Sequence, residues 1–103
     1  MQRVGFVMRV RAGFEDEYRA RHQEVFPDLL SAFTRHGVGN YSIFMHGRTL
    51  FAYMTVDGDF DEVMAKLAKE PANVRWQEFM SPLMEPWDGK DVVQIIPEVF
   101  FHE

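Results

Sequence analysis

His22 is the side chain in this sequence best matched to moving a proton near neutral pH. Tyr18 lies four residues before it, and on a helix that spacing sets phenol and imidazole on one face. A lone helical histidine more often fills space than does chemistry, and Phe14, Tyr18 and His22 also read as a plain core face. Tyr41 stands in the run Gly39-Asn40-Tyr41-Ser42-Ile43, where a phenol at the start of a strand can hydrogen-bond a ligand hydroxyl. Trp76 is followed by Gln77. Aromatic faces stack on the C–H faces of sugar rings, and an amide beside one can bind hydroxyls. The same tryptophan also suits a core or an interface.

Other polar residues group less well. His36, His46 and His102 show no metal-ligand spacing with one another or with His22. Asp57, Asp59 and Asp61 alternate but lack the rest of a calcium loop, and helix capping explains them more simply. Glu70, Glu78 and Glu85 read as solvated helix residues. Trp87, in Pro86-Trp87-Asp88-Gly89, reads as structural or interfacial. The sequence contains no phosphate-binding glycine motif, nucleophile elbow or dinucleotide fingerprint. It contains no cysteine, which removes disulfides and thiolate metal sites. A large cofactor would be hard to house in one chain of this size.

The chain of 103 residues has room for one small domain, and 47% apolar residues can give it a core. Ten Phe, two Trp and three Tyr exceed what such a core needs, which points to an aromatic-lined cavity, a subunit interface, or both. The net charge of -5 disfavours nucleic acid, whose phosphates demand basic patches, and anionic membrane surfaces. The first ten residues carry no long apolar run, so they read as neither signal peptide nor membrane span. A soluble, cytoplasmic protein is expected.

These candidates need elements to hold them. Gly5 to Val10 alternates like a strand. A helix is predicted from Phe14, with Tyr18, His22 and Val25 continuing its face, and with Glu15, Asp16 and Glu17 favouring its first turn. Pro27 ends it and opens a second helix on Phe26, Leu29, Leu30 and Phe33, which Gly37 stops. Val38–His46 and Thr49–Val56 form a hairpin about Gly47-Arg48, with Tyr41, Ile43 and Met45 on one face of its first strand. Asp59 and Glu62 resemble a capping box ahead of Phe60, Val63, Met64 and Leu67. Pro71 starts a last helix whose apolar positions are predicted as Val74, Phe79, Met80 and Leu83. Asp91 to Phe101 contains the final strand, and Pro97 implies an edge or a bulge. The order β-α-β-β-α-β suits one antiparallel sheet with helices on one face, an α+β fold. The other sheet face must bury something, for which a second subunit or a ligand are the candidates.

With these elements in place, several segments resemble the L-rhamnose mutarotase family. They are Glu17-Tyr18-Arg19-Ala20-Arg21-His22, Phe26-Pro27-Asp28-Leu29, His36-Gly37-Val38-Gly39-Asn40-Tyr41-Ser42-Ile43, Arg75-Trp76 and Glu98-Val99-Phe100. The resemblance covers almost the whole chain, so residues 1–103 are expected to form a single domain of this type. It implies a ferredoxin-like fold that pairs into a dimeric α/β barrel, with no metal and no organic cofactor. It implies an isomerase interconverting the α and β anomers of L-rhamnose or a close 6-deoxyhexose. It implies His22 as the proton donor, with Tyr18, Tyr41 and the Trp76-Gln77 segment on the sugar. The family commonly carries two adjacent tryptophans where this chain has Trp76-Gln77. Two other readings start from the same residues: a small cofactor-free or haem-acting monooxygenase, which fold analogy alone supports, and a non-catalytic sugar-binding dimer.

Overall fold

The structure is a computed structural model that describes residues 1–103. Strand β1 (Gln2–Arg9) buries every second side chain, Val4, Phe6 and Met8, as a strand with one covered face must. Helix α1 (Glu15–Arg21) follows, with three carboxylates in its first turn. It is shorter than the predicted helix. His22 caps it and opens a single 3₁₀ turn, His22–Glu24. Phe14, predicted as part of the buried face, is the exposed N-cap residue instead. Helix α2 (Pro27–Arg35) begins on its proline, where the missing N–H costs nothing.

The hairpin of β2 (Val38–His46) and β3 (Thr49–Val56) turns at Gly47-Arg48, and β3 pairs antiparallel with β1 from Gln2↔Val56 to Arg9↔Thr49. Helix α3 (Phe60–Leu67) is capped by Asp59, whose carboxylate accepts the Glu62 N–H at 3.1 Å. Helix α4 (Pro71–Met80) starts on its proline and runs into a 3₁₀ turn, Ser81–Leu83. Strand β4 is only Gln94–Ile96, antiparallel to the free edge of β1. It stops at Pro97, which cannot donate to a ladder. The sheet order is β2-β3-β1-β4, the antiparallel ferredoxin-like arrangement.

Two local details were not predictable from periodicity. In α4 the buried residues are Ala72, Trp76 and Met80, while Val74 and Phe79 are exposed. Its inward stripe recurs every fourth residue from Ala72 to Met80 and continues three residues on to Leu83. In β2 the register shifts between Val38 and Tyr41, since these pair with Val56 and Met54. Three residues on one strand therefore span two on the other, a β-bulge. The extra residue reverses the alternation, so Val38 and Tyr41 both point to the helix side. Thr55 Oγ1 accepts the Asn40 N–H at 2.8 Å at the bulge. A Cβ on Gly39 would meet that oxygen at 2.5 Å, so glycine is what lets the strand close there.

All four helices cover one sheet face. Leu29, Leu50, Leu83, Val10 and Val56 are the largest fully enclosed side chains of the core. The other sheet face is uncovered. Cross-strand neighbours share a face, so Phe44, Phe51 and Val7 form one row there, and Ser42, Tyr53, Gly5 and Ile96 the next. Phe44, Phe51, Tyr53 and Ile96 are all exposed. Beyond β4 the chain returns along β1. Glu98 takes both Arg3 nitrogens at 3.0 and 3.1 Å, and the Arg3 guanidinium lies 3.4 Å from the Phe101 ring centroid. Trp87 is structural: its Nε1–H donates to the Val7 carbonyl at 3.1 Å, and Arg9 stacks on it. No helix is long and apolar enough to cross a membrane.

Candidate active site

Between the helices and the covered sheet face lies a cavity of 810 Å³, within the size range of small-molecule sites. All five sequence-derived candidates, Tyr18, His22, Tyr41, Trp76 and Gln77, line it. The rest of the wall is mostly apolar, with Phe6, Met8, Leu29, Phe33, Met64 and Met80 prominent. The few polar groups in it therefore carry the orientation of any ligand.

His22 is the best-held of them. Its ring lies 4.4 Å from the Tyr18 ring centroid and meets Trp76 edge-on at 5.2 Å. The imidazole is thus packed between an aromatic of α1 and one of α4. Nδ1 lies 3.1 Å from the Tyr18 carbonyl oxygen. A carbonyl only accepts, so Nδ1 carries the hydrogen. In the neutral ring this leaves Nε2 unprotonated. Burial lowers the His22 pKa below its ordinary value, and the bond to the Tyr18 carbonyl only partly opposes that. The resting imidazole at neutral pH is therefore uncharged, with a free lone pair on Nε2.

The tyrosines have the opposite electrostatics. Burial pushes Tyr41 up to about 12. Tyr18 is raised well above the ordinary phenol value, again mainly by burial. Both stay protonated across physiological pH and serve as neutral hydroxyl partners. Tyr41 is placed by the β2 bulge and by aromatic contacts with Phe33 at 5.7 Å and Phe6 at 6.1 Å. Trp76 is almost fully buried, with Phe26 edge-on at 5.1 Å and Phe79 at 5.8 Å. It is a wall of the cavity and also a support for His22. Gln77 is exposed at the rim, where its Nε2 donates to Asn73 Oδ1 over a long 3.4 Å.

Polar links join the helices around this cavity. Arg75 on α4 pairs with Asp28 on α2. Arg21 pairs with Glu17 at 2.8 Å, donates to the Phe79 carbonyl, and lies over the Phe79 ring. These exposed pairs are worth little individually, but they tie both ends of the aromatic group. The remaining histidines lie elsewhere. His36 binds Glu70 at 2.7 Å beside Arg35, and His102 lies in the C-terminal tail. Asn73, Val92 and Ile95 line the cavity and were not singled out from sequence. Asn73 had a legible signal, since it stands three and four residues before Trp76 and Gln77. Val92 and Ile95 had none, because only pairing of β4 with β1 brings that loop over the cavity.

Comparison with known proteins matches this arrangement to one family. The family model described as L-rhamnose mutarotase matches residues 3–102. The chain belongs to the L-rhamnose mutarotase family. A relative from Oceanobacillus iheyensis, named L-rhamnose mutarotase, is 37% identical over 97% of both chains. The crystal structure of an L-rhamnose mutarotase from Formosa agariphila superposes with a TM-score of 0.83 at 32% identity, covering both chains fully. Tetracenomycin F2 cyclase from Streptomyces glaucescens superposes with a TM-score of 0.69 at 18% identity, over 100% of this chain and 97% of its own. That likeness shows the shared ferredoxin-like fold alone.

Proposed function

We propose that the cavity opens and recloses the pyranose ring of L-rhamnose, or a closely related 6-deoxyhexose, with His22 moving the proton. Family membership makes the chain a sugar mutarotase, an isomerase acting on carbohydrates. The observation that carries the assignment of His22 is the bond from Nδ1 to the Tyr18 carbonyl, which leaves Nε2 as the free proton acceptor in a ligand-sized cavity.

The chemistry follows from that tautomer. Nε2 takes the proton of the anomeric hydroxyl as the bond between the anomeric carbon and the ring oxygen breaks. The imidazolium so formed acts as the acid and returns the proton to the ring oxygen, which gives the open aldehyde. Rotation about the bond between the anomeric carbon and C2 exposes the other carbonyl face. Closure runs the same transfers backwards. Both oxygens sit on the anomeric carbon, so one imidazole can serve each in turn. Tyr18 and Tyr41 bind sugar hydroxyls as neutral partners, Trp76 faces the ring's C–H surface, and Gln77 contacts the sugar at the rim. The scheme consists of proton transfers, so no metal or cofactor takes part in it.

A pH profile tests the order of transfers. The neutral imidazole starts the reaction, and burial holds its pKa below the ordinary 6.5 of histidine. The catalysed rate of L-rhamnose anomer exchange, corrected for buffer, is therefore expected to stay flat from about pH 7 to 8 and to fall on acidification below about pH 6.5. A rate that instead climbs as the pH drops below that range contradicts the order given, because the imidazolium would then be the starting form.

The uncovered sheet face supports a homodimer. Phe44, Phe51, Tyr53 and Ile96 form a contiguous apolar surface of the kind that marks a protein interface. A second copy packed sheet to sheet closes the α/β barrel and leaves both cavities on the outside of the sheet pair. Phe51→Lys at the centre of the face is expected to shift sedimentation from dimer to monomer. A wild-type chain that sediments as a monomer at micromolar concentration refutes the dimer. The reading is of one mutarotase-type domain over residues 1–103, acting on a small sugar in the cytoplasm without nucleic acid or membrane.

A further inference from the structure

Two carboxamides stand side by side at the rim of a cavity that is otherwise mostly apolar. Asn73 and Gln77 are one helical turn apart on α4, and both line the cavity with Trp76 between them in sequence. The single bond between them, Gln77 Nε2 to Asn73 Oδ1 at 3.4 Å, is the only hydrogen bond either side chain makes within the protein. Gln77 Oε1 and Asn73 Nδ2 remain free, one acceptor and one donor. A hydroxyl is both donor and acceptor, so one hydroxyl can satisfy the pair.

The pair flanks Trp76 along α4, and Trp76 is one of the two aromatic neighbours of His22. The reacting ring oxygen has two carbon neighbours, the anomeric carbon and C5. His22 likewise has two flanks, Tyr18 at 4.4 Å and Trp76 at 5.2 Å. The phenols of Tyr18 and Tyr41 suit the hydroxyl-rich anomeric side. C5 and its substituent then lie toward Trp76 and the carboxamides that flank it. In a 6-deoxyhexose that substituent is a methyl group, which an indole accommodates and which Gln77 touches without a hydrogen bond. In the parent hexose it is a hydroxymethyl group.

We infer that Asn73 and Gln77 form a hydroxyl-reading subsite that lets this chain act on hexoses bearing a C6 hydroxyl as well as on 6-deoxyhexoses. The inference rests on the mutarotase reading of the cavity and names the wider substrate class of that same site. The pair positions and selects; it takes no part in the proton transfers.

L-mannose and L-rhamnose differ only at C6, so they isolate the subsite. Anomer exchange of both sugars is measured by NMR with the wild type, Gln77→Leu, Asn73→Leu and Gln77→Glu. The wild type is expected to exchange L-mannose with kcat/KM within about tenfold of L-rhamnose. Each leucine variant is expected to lower the L-mannose to L-rhamnose ratio by about tenfold, the loss expected for one hydrogen bond. Gln77→Glu keeps an acceptor there and is expected to hold the ratio within about threefold. Loss of folding moves both sugars together and leaves the ratio unchanged, so the ratio reports the subsite alone. A wild type that exchanges L-rhamnose but not L-mannose overturns the inference and leaves the mutarotase reading intact, as does a ratio unmoved by both leucine variants. A wild type that exchanges neither sugar overturns the mutarotase reading itself.

Discussion

His22→Gln is expected to lower the enzyme-catalysed exchange of L-rhamnose anomers by about 10²–10⁴-fold, the usual worth of a positioned general acid–base. Glutamine approximates the volume of the imidazole and can still donate to the Tyr18 carbonyl, but it cannot accept and return a proton near neutral pH. Circular dichroism and the unfolding midpoint are expected to stay near wild type, because His22 is only half-buried and sits at a helix end. A variant that exchanges L-rhamnose as fast as the wild type removes His22 from the mechanism. The imidazole's position makes the large effect reasonable. It is clamped by Tyr18 and Trp76 and locked in one tautomer, so little reorganisation is needed at the moment of transfer.

Trp76→Ala is expected to destabilise the fold by about 3–5 kcal/mol, the range for removing a large buried aromatic. Trp76 is nearly fully buried and touches Phe26, Phe79 and His22. A small α+β domain with total stability of about 5–15 kcal/mol would lose a large share of it. The reading is a lower urea midpoint with an unchanged denaturant slope. Trp76→Phe keeps much of the buried surface and is expected to recover most of the loss. If Trp76→Ala unfolds at the wild-type midpoint, the tryptophan does not hold α2, α4 and His22 together as described. The two substitutions separate two roles: His22 loses rate with little stability, and Trp76 loses stability first.

Much of this was legible in the sequence because local chemistry and tertiary structure agree. Pro27 and Pro71 each start a helix, Asp59 caps one, and the Gly47-Arg48 turn joins two alternating strands. In each case a short-range rule has no tertiary competitor. Tyr18 and His22 were paired correctly by spacing alone, even though the regular helix ends at Arg21, since a 3₁₀ turn continues the same face far enough for the rings to meet.

What was not legible depends on contacts distant in sequence. The phase of α4 follows from its packing beside Phe26, which meets the Trp76 ring edge-on, so Trp76 turns inward while Val74 and Phe79 are exposed. The bulge at Gly39-Asn40 is set by the Thr55 hydroxyl across the hairpin, yet it decides that Tyr41 faces the cavity. The last strand was read as anything from Asp91 to Phe101, and only pairing with β1 limits it to Gln94–Ile96. Asn73 stands at helical spacing from Trp76 and Gln77, but that spacing becomes meaningful only once the cavity shows that all three line one space.

The central claim is that this chain interconverts the anomers of L-rhamnose, and exchange NMR on the two anomeric proton signals tests it most directly. With catalytic amounts of the wild-type chain at neutral pH, exchange between the two signals is expected to run well above the rate in matched buffer and to rise in proportion to protein concentration. Exchange that stays at the buffer rate at every protein concentration would contradict it.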